Sequence, residues 1–241
     1  MHLLSATPGT IADGEAAIDL AQSPGDIVIL TVADSDLACF ARAAEVLGDD
    51  APRIRLANLL QLRHPYSVDL YIETVVVHAR FVCVVLLGGK SYWPYGIDEI
   101  ARVARDNGIA FAAVADGQES DAALDAASTV DADIRARLRD YLRQGGVANA
   151  TAFLRTAARL IGRDTGAPDD PLPLADAGLY LVGVDRPVLD QVRANWVAGR
   201  PVALFVFYRA LVAAGTLDAV DAIVAALAAR GLNVVAAHVR A

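Results

Sequence analysis

The stretch Arg80-Phe81-Val82-Cys83-Val84-Val85-Leu86-Leu87-Gly88-Gly89 decides the fold. Every position from Phe81 to Leu87 is apolar. An extended chain of that kind must bury both faces, which is the condition of a strand inside a parallel sheet. The two glycines end the run, and Lys90-Ser91-Tyr92-Trp93-Pro94-Tyr95-Gly96 follows. Parallel strands deliver groups to a crevice at their carboxyl ends. Three aromatics gathered there, in a chain of 241 residues with only two tryptophans and six phenylalanines, exceed what a turn requires. Tyr92, Trp93 and Tyr95 therefore read as a platform for a flat or bulky surface, either a ligand or another domain.

Working outward, short apolar runs at 3–6, 27–32, 54–56, 82–87 and 109–114 alternate with helical patterns at 13–20, 35–47, 68–78 and 97–107. This alternation predicts an α/β fold, an open and mainly parallel sheet of five strands with flanking helices. Asp34 or Ser35 is the expected cap of the second helix, and Gly48 and Gly108 the stops of the second and fourth. Two more helices are expected at 129–141 and 148–161, separated by Gly145-Gly146. The Gly, Pro and Asp content that follows predicts a linker. The expected organisation is a Rossmann-like α/β domain with a helical tail over 1–162, a linker over 163–177, and a partial second α/β domain over 178–241. That last part reads as a strand at 178–182, a helix at 188–198, then strand, helix and strand at 202–207, 217–229 and 232–237. One such repeat leaves much of its surface unpacked, which implies docking on the first domain or a longer protein.

Composition narrows the function classes. The 21 basic and 29 acidic residues leave a net charge of -8, unsuited to a broad phosphate-binding footprint, so no nucleic-acid partner is expected. No apolar run approaches the roughly 18 residues of a membrane span, and no signal peptide pattern precedes residue 5, so a cytoplasmic protein is expected. Cys39 and Cys83 lie in apolar surroundings and read as buried structural thiols.

The candidate site residues are few. Gly88 and Gly89 permit unusual dihedrals or the close approach of a ligand. Gly88-Gly89-Lys90-Ser91 resembles the end of a phosphate loop, but the upstream glycine spacing is missing, and Thr7-Pro8-Gly9 lacks a dinucleotide fingerprint. Lys90 reads either as a carboxylate contact or as a solvated lysine. His64 precedes Pro65, which places it in extended backbone at a helix boundary, where it can move a proton or cap the helix. His2, His78 and His238 are weaker candidates. Arg209, in Phe207-Tyr208-Arg209 after a strand, offers a planar cation to a carboxylate or to a structural ion pair. Asp13 and Glu15 read as helix-start acids. No metal-ligand spacing and no catalytic set are found.

Several ordered stretches carry a family resemblance. They are Met1-His2-Leu3-Leu4 with Gly9-Thr10-Ile11-Ala12-Asp13-Gly14, then Arg55-Leu56-Ala57-Asn58-Leu59 followed by His64-Pro65-Tyr66-Ser67-Val68-Asp69. Leu87-Gly88-Gly89 with Tyr92-Trp93-Pro94-Tyr95-Gly96 follows, and then Gly199-Arg200-Pro201 and Phe207-Tyr208-Arg209. Together they resemble the amino-terminal region of the large subunit of aerobic cobaltochelatases, the cobalt-inserting enzymes of cobalamin synthesis, in the magnesium chelatase large-subunit superfamily. The resemblance implies a ligase-type, ATP-dependent insertion of cobalt into the corrin precursor hydrogenobyrinic acid a,c-diamide. It also implies MgATP bound by AAA+ type partner subunits, and a much longer large subunit that completes the active site. By that reading this chain is a substrate-recognition or scaffold portion, inactive alone and without a cofactor of its own. Gly88, Gly89, Tyr92, Trp93, Tyr95, His64 and Arg209 are its candidate contacts, and Arg63 can meet substrate carboxylates. The alternative is a small-molecule-binding α/β protein unrelated to metal insertion.

Overall fold

The computed structural model describes residues 16–116, 121–184 and 186–240. The expected strand at 3–6, His2, Thr7-Pro8-Gly9 and the acids Asp13 and Glu15 lie outside the described residues. The elements in chain order are β1 (Ile27–Thr31), α1 (Asp34–Leu47), β2 (Ile54–Asn58), α2 (Pro65–Thr74), β3 (Phe81–Leu87), α3 (Pro94–Asn107), β4 (Ala110–Asp116) and α4 (Ala122–Ala127). They continue with α5 (Ala132–Gln144), α6 (Val147–Leu160), β5 (Ala177–Tyr180), α7 (Leu189–Arg193), β6 (Val202–Tyr208), α8 (Arg209–Ala214), α9 (Asp218–Ala229) and β7 (Asn233–Val239). The chain is α/β, with two sheets among the described residues.

Contacts divide it into two compact units, neither of them a continuous stretch of sequence. The first takes the described residues up to Val32, then Pro52–Arg139 and Ala157–Arg163, and the second takes Ala33–Ala51, Asp140–Thr156 and the chain from Asp164. Between Leu160 and Ala177 there is neither helix nor strand.

In the first unit four parallel strands run in the order β2-β1-β3-β4. Val28, Val82 and Phe111 share one face in register, and Ile29, Cys83 and Ala112 share the other. All six are fully buried. Each such aliphatic side chain contributes about 1.5–3 kcal/mol over leaving it in water. The first face meets Val68, Tyr71 and Ile72 of α2 and Ile97, Ile100 and Ala104 of α3 in one core. The order reverses at β1, so the switch point lies between β1 and β3, whose carboxyl ends are Thr31 and Leu87.

Three local expectations are corrected. Residues 16–20, inside the helix expected at 13–20, are not helical; Ile18 N donates instead to Ser67 Oγ (2.7 Å), and Leu20 packs against the core. The N-cap of α1 is Ala33, whose carbonyl takes Asp36 N and Leu37 N, and neither Asp34 nor Ser35 holds that place. The helix expected at 188–198 is the short α7, because the chain from Trp196 turns into a loop whose Val197 N and O both bind the Asn233 side chain at 3.0 Å. Gly48 and Gly108 do end α1 and α3, at φ 59° and 66°.

The second unit contains the sheet β5-β7-β6. β6 and β7 are parallel, as a strand-helix-strand unit requires, and β5 joins β7 antiparallel. α9 packs on one face through Val220 and Val224 against Phe205, Phe207 and Tyr180. In the same unit Phe40 of α1 meets Phe153 of α6 edge to face at 5.0 Å, and α1 packs on α8. The stretch after α6 is tied down there too. Tyr141 donates its hydroxyl to the Asp169 carbonyl, and the Asn149 side chain exchanges hydrogen bonds with both backbone groups of Leu172.

Candidate functional site

The site lies where β2 and β3 release their chains, at the carboxyl edge of the first sheet. After β2, the Asn58 side chain accepts from Leu60 N at 2.9 Å and opens a tight 3-10 turn, Leu59–Gln61. Pro65 then occupies the first turn of α2, and His64 sits before it at φ -76° and ψ 132°, the extended backbone that a following proline enforces. The His64 Nδ1 accepts from Tyr66 N at 3.1 Å, so the imidazole is the helix cap.

After β3, Gly88 and Gly89 take φ of 84° and 80°, both in the left-handed region. Successive amides in such a bend form an anion-binding concavity. This one is filled from within the chain. The Asp121 carboxylate lies where a Cβ of Gly89 would stand, accepts from Lys90 N at 3.1 Å, and caps α4 through Ala123 N and Leu124 N. These amides, first that of Leu124, hold its acid below the ordinary carboxylate range. The Lys90 ammonium pairs with Asp98 at 2.6 Å. The phosphate-loop likeness thus ends in an internal carboxylate, and the lysine's carboxylate partner belongs to its own chain.

Trp93 is not part of an exposed platform. It is 7% exposed, its indole N–H donates to the Leu62 carbonyl at 2.9 Å, and its ring covers Gly96, where a Cβ would collide with it. The order Trp93-Pro94-Tyr95-Gly96 now has a physical reading. Pro94 starts α3, and Gly96 clears room for the indole. Tyr92 and Tyr95 remain 48% and 41% exposed. The Tyr95 hydroxyl donates to Asp69 of α2 at 2.6 Å, and that bond to a carboxylate pushes the phenol up.

The loops after β2 and β3 are therefore tied at Trp93–Leu62, and the helices they lead into, α2 and α3, at Tyr95–Asp69. They bring Gly88, Gly89, Tyr92, Trp93, Tyr95 and His64 to one end of one unit, with Arg63 and Tyr66 exposed beside them. Tyr66, 61% exposed, stands one helical turn from Asp69, the partner of Tyr95, and adds a third exposed tyrosine to this end of the unit. Its signals in the sequence were its place after Pro65 at a helix start and within the His64–Asp69 stretch of the resemblance. Asp121 had none, since its partner Lys90 lies 31 residues away. Arg209 belongs to the second unit, where its guanidinium donates to three backbone carbonyls, Ala175 (3.2 Å), Gln144 (3.2 Å) and Leu174 (3.1 Å). It is a clamp, with its donors turned to the backbone.

Both thiols are buried and reduced, burial first pushing Cys39 up to about 11 and Cys83 higher still. Among the described residues no three His, Cys, Asp or Glu side chains converge in a metal-binding arrangement, and no helix is long and apolar enough to cross a membrane.

Comparison with known proteins gives these features a family. The CobN/Magnesium Chelatase family model matches residues 139–241. The aerobic cobaltochelatase subunit CobN of Pseudomonas aeruginosa is 39% identical over 97% of this chain, and the subunit of the same name from a Sinorhizobium species is also 39% identical over 97%. The chain spans about a fifth of the length of these curated relatives, 19% in each case. Among solved structures, the catalytic subunit of cobaltochelatase from Mycobacterium tuberculosis shares the fold, with a TM-score of 0.67 and 24% identity over 89% of this chain and 16% of that one. With a family model over its last third and more, and sequence similarity to CobN subunits running through nearly its whole length, the chain belongs to the CobN/magnesium chelatase family.

Proposed function

We propose that this chain is the substrate-recognition or scaffold portion of an ATP-dependent cobaltochelatase that inserts cobalt into hydrogenobyrinic acid a,c-diamide in the cytoplasm. Cobalt and the corrin precursor are its substrates. MgATP is bound by AAA+ type partner subunits, and the groups that deprotonate the macrocycle belong to the rest of the large subunit. The observation that carries the recognition role is the exposed aromatic surface of Tyr66, Tyr92 and Tyr95 at the carboxyl end of the parallel sheet, held rigid by the buried Trp93 and the Tyr95–Asp69 bond. Aromatic faces offer large apolar area at little entropic cost, which suits a flat, conjugated ring. In this role Gly88 and Gly89 give the loop its shape, His64 fixes the start of α2, and Arg63 meets peripheral carboxylates. Arg209 holds the second unit in shape.

The test is titration of the chain and of a complete CobN subunit with hydrogenobyrinic acid a,c-diamide and, separately, with a porphyrin, followed by macrocycle absorbance. The corrin precursor is expected to bind both proteins, and Tyr92→Ala with Tyr95→Ala is expected to weaken binding about tenfold or more without loss of fold. Failure of both macrocycles to bind the chain, while chain and complete subunit engage the same AAA+ type partner, leaves the scaffold role alone. Cobalt insertion is expected only when the rest of the subunit, the partners and ATP are restored.

A further inference from the structure

The second unit presents two apolar surfaces on opposite sides of its sheet. On β6, Val202, Leu204, Val206 and Tyr208 alternate with Phe205 and Phe207 and are 56%, 67%, 48% and 63% exposed. Phe205 and Phe207 point to the α9 side, where they stack at 5.7 Å between ring centroids and join Val220 and Tyr180. The exposed stripe is therefore the face that α9 does not cover. β6 is also an edge strand, paired among the described residues only with β7. Edge strands are normally blunted by lysine, proline or a bulge, and no charge or proline stands between Val202 and Tyr208.

α9 has the complementary defect. Its inward side packs, but Ala222, Ile223, Ala225, Ala226, Ala228 and Ala229 are exposed, and no charged residue stands between Asp221 and Arg230. A surface helix carries charge on its outer side, whereas one that is apolar all round is buried in a larger body. Two uncovered faces and one open edge in a single small sheet exceed the scattered apolar residues normal for a surface.

We propose that this sheet is a docking surface for the rest of a CobN-type large subunit: a further parallel strand pairs on the free edge of β6 with its helix over the Val202–Tyr208 stripe, and another apolar element covers the outer side of α9. The occupant follows from the number of surfaces. A two-fold contact with a second copy covers one of them and leaves the other in water, because they lie on opposite sides of the sheet. A chain about five times as long, as the curated relatives are, can cover both. The proposal rests on reading this chain as part of a large chelatase subunit.

The test uses two new thiols, Leu204→Cys on the stripe and Ala226→Cys on α9, in a chain whose own Cys39 and Cys83 are buried. Both are expected to react with a maleimide at the rate of a free thiol in the 241-residue chain. In a chimera where this chain replaces the matching fifth of the Pseudomonas aeruginosa subunit, both are expected to be protected at least about tenfold. The same cysteines at the aligned positions of the intact Pseudomonas subunit give the reading if the chimera does not fold. Full reactivity at both sites in the long subunit overturns the proposal. So does protection of the Leu204 site alone in a chain that sediments as a dimer, which assigns the stripe to a second copy. Cobalt insertion by the chimera, measured in parallel with partners and ATP, judges the functional reading separately: insertion with reactive thiols sinks only the docking surface, and protected thiols without insertion sink only the function.

Discussion

Trp93 and Gly96 form a lock whose two halves answer to separate substitutions. Trp93→Ala removes a large buried ring, and a cost of about 3–5 kcal/mol is expected, read as a lower urea midpoint at unchanged slope. Trp93→Phe keeps most of the apolar contact but leaves the Leu62 carbonyl without its donor, for a loss of about 1–3 kcal/mol. Gly96→Ala is the more discriminating change. In an open helix position alanine is better than glycine by about 1 kcal/mol. Here the new methyl enters the space of the indole, so destabilisation is expected, and a stabilised Gly96→Ala would show that the ring does not lie over this position. His64 shows how a residue type can suggest one chemistry and serve another. Its Nδ1 is occupied by the Tyr66 amide, which makes it the N-cap that the sequence favoured over a proton shuttle.

Arg209 decides how β6 passes into α8. Its fork reaches carbonyls at Gln144, Leu174 and Ala175, and so joins the end of α5 and the approach to β5 to the start of α8. Arg209→Lys replaces a planar donor set with a single ammonium, and a loss of about 1–2 kcal/mol is expected in thermal unfolding, with macrocycle affinity unchanged. A weaker affinity at full stability would return Arg209 to a ligand role. The strands themselves were legible because a parallel sheet buried on both faces leaves uninterrupted apolar runs such as Phe81–Leu87, and the ends of α1 and α3 were legible because Gly48 and Gly108 adopt the positive φ that glycine favours. The cap of α1 was not, since Asp34 and Ser35 are both good caps by type, whereas two residues, Val32 and Ala33, lie between the end of β1 at Thr31 and the helix, which puts Ala33 at the cap. The antiparallel pairing of β5 was not either, because its partner β7 lies some sixty residues away and Ala177–Tyr180 carries no mark of direction. The aromatic loop was found by composition, yet the division of its rings into one buried and two exposed depends on Gly96 and on the Leu62 carbonyl, which only the folded chain brings together.

At the scale of the whole molecule, the two tryptophans report on different units. Trp93 lies in the continuous core of the first. Trp196 lies in the second, under the Arg193 guanidinium at 5.5 Å, in a loop held to β7 by Asn233. Among the described residues the cluster between the β5-β7-β6 sheet and α9 has Phe207, Val220 and Ala236 as its buried members, while the first core runs through three helices and four strands. The Trp196 signal, isolated in a Trp93→Phe background, is therefore expected to be lost at lower urea than the Trp93 signal isolated by Trp196→Phe. Acid should widen the gap. His238 on β7 is 6% exposed, lies against Phe207, and has no hydrogen-bond partner for Nδ1 among the described residues. Burial first, and then the Arg209 charge, hold its imidazole below the ordinary histidine value of 6.5. The folded state therefore keeps the neutral ring while the unfolded chain takes up a proton as pH falls past 6.5, so stability is full above that value and declines below it until the lowered folded value is reached. Between about pH 7.5 and about pH 5.5 the Trp196 midpoint is expected to fall and the Trp93 midpoint to stay, since carboxylates titrate mainly below that window. His238→Gln should flatten the Trp196 response. Equal acid shifts at both tryptophans would mean that the units unfold as one, and a flat response in the unsubstituted chain would mean that His238 finds a partner that the sheet does not provide.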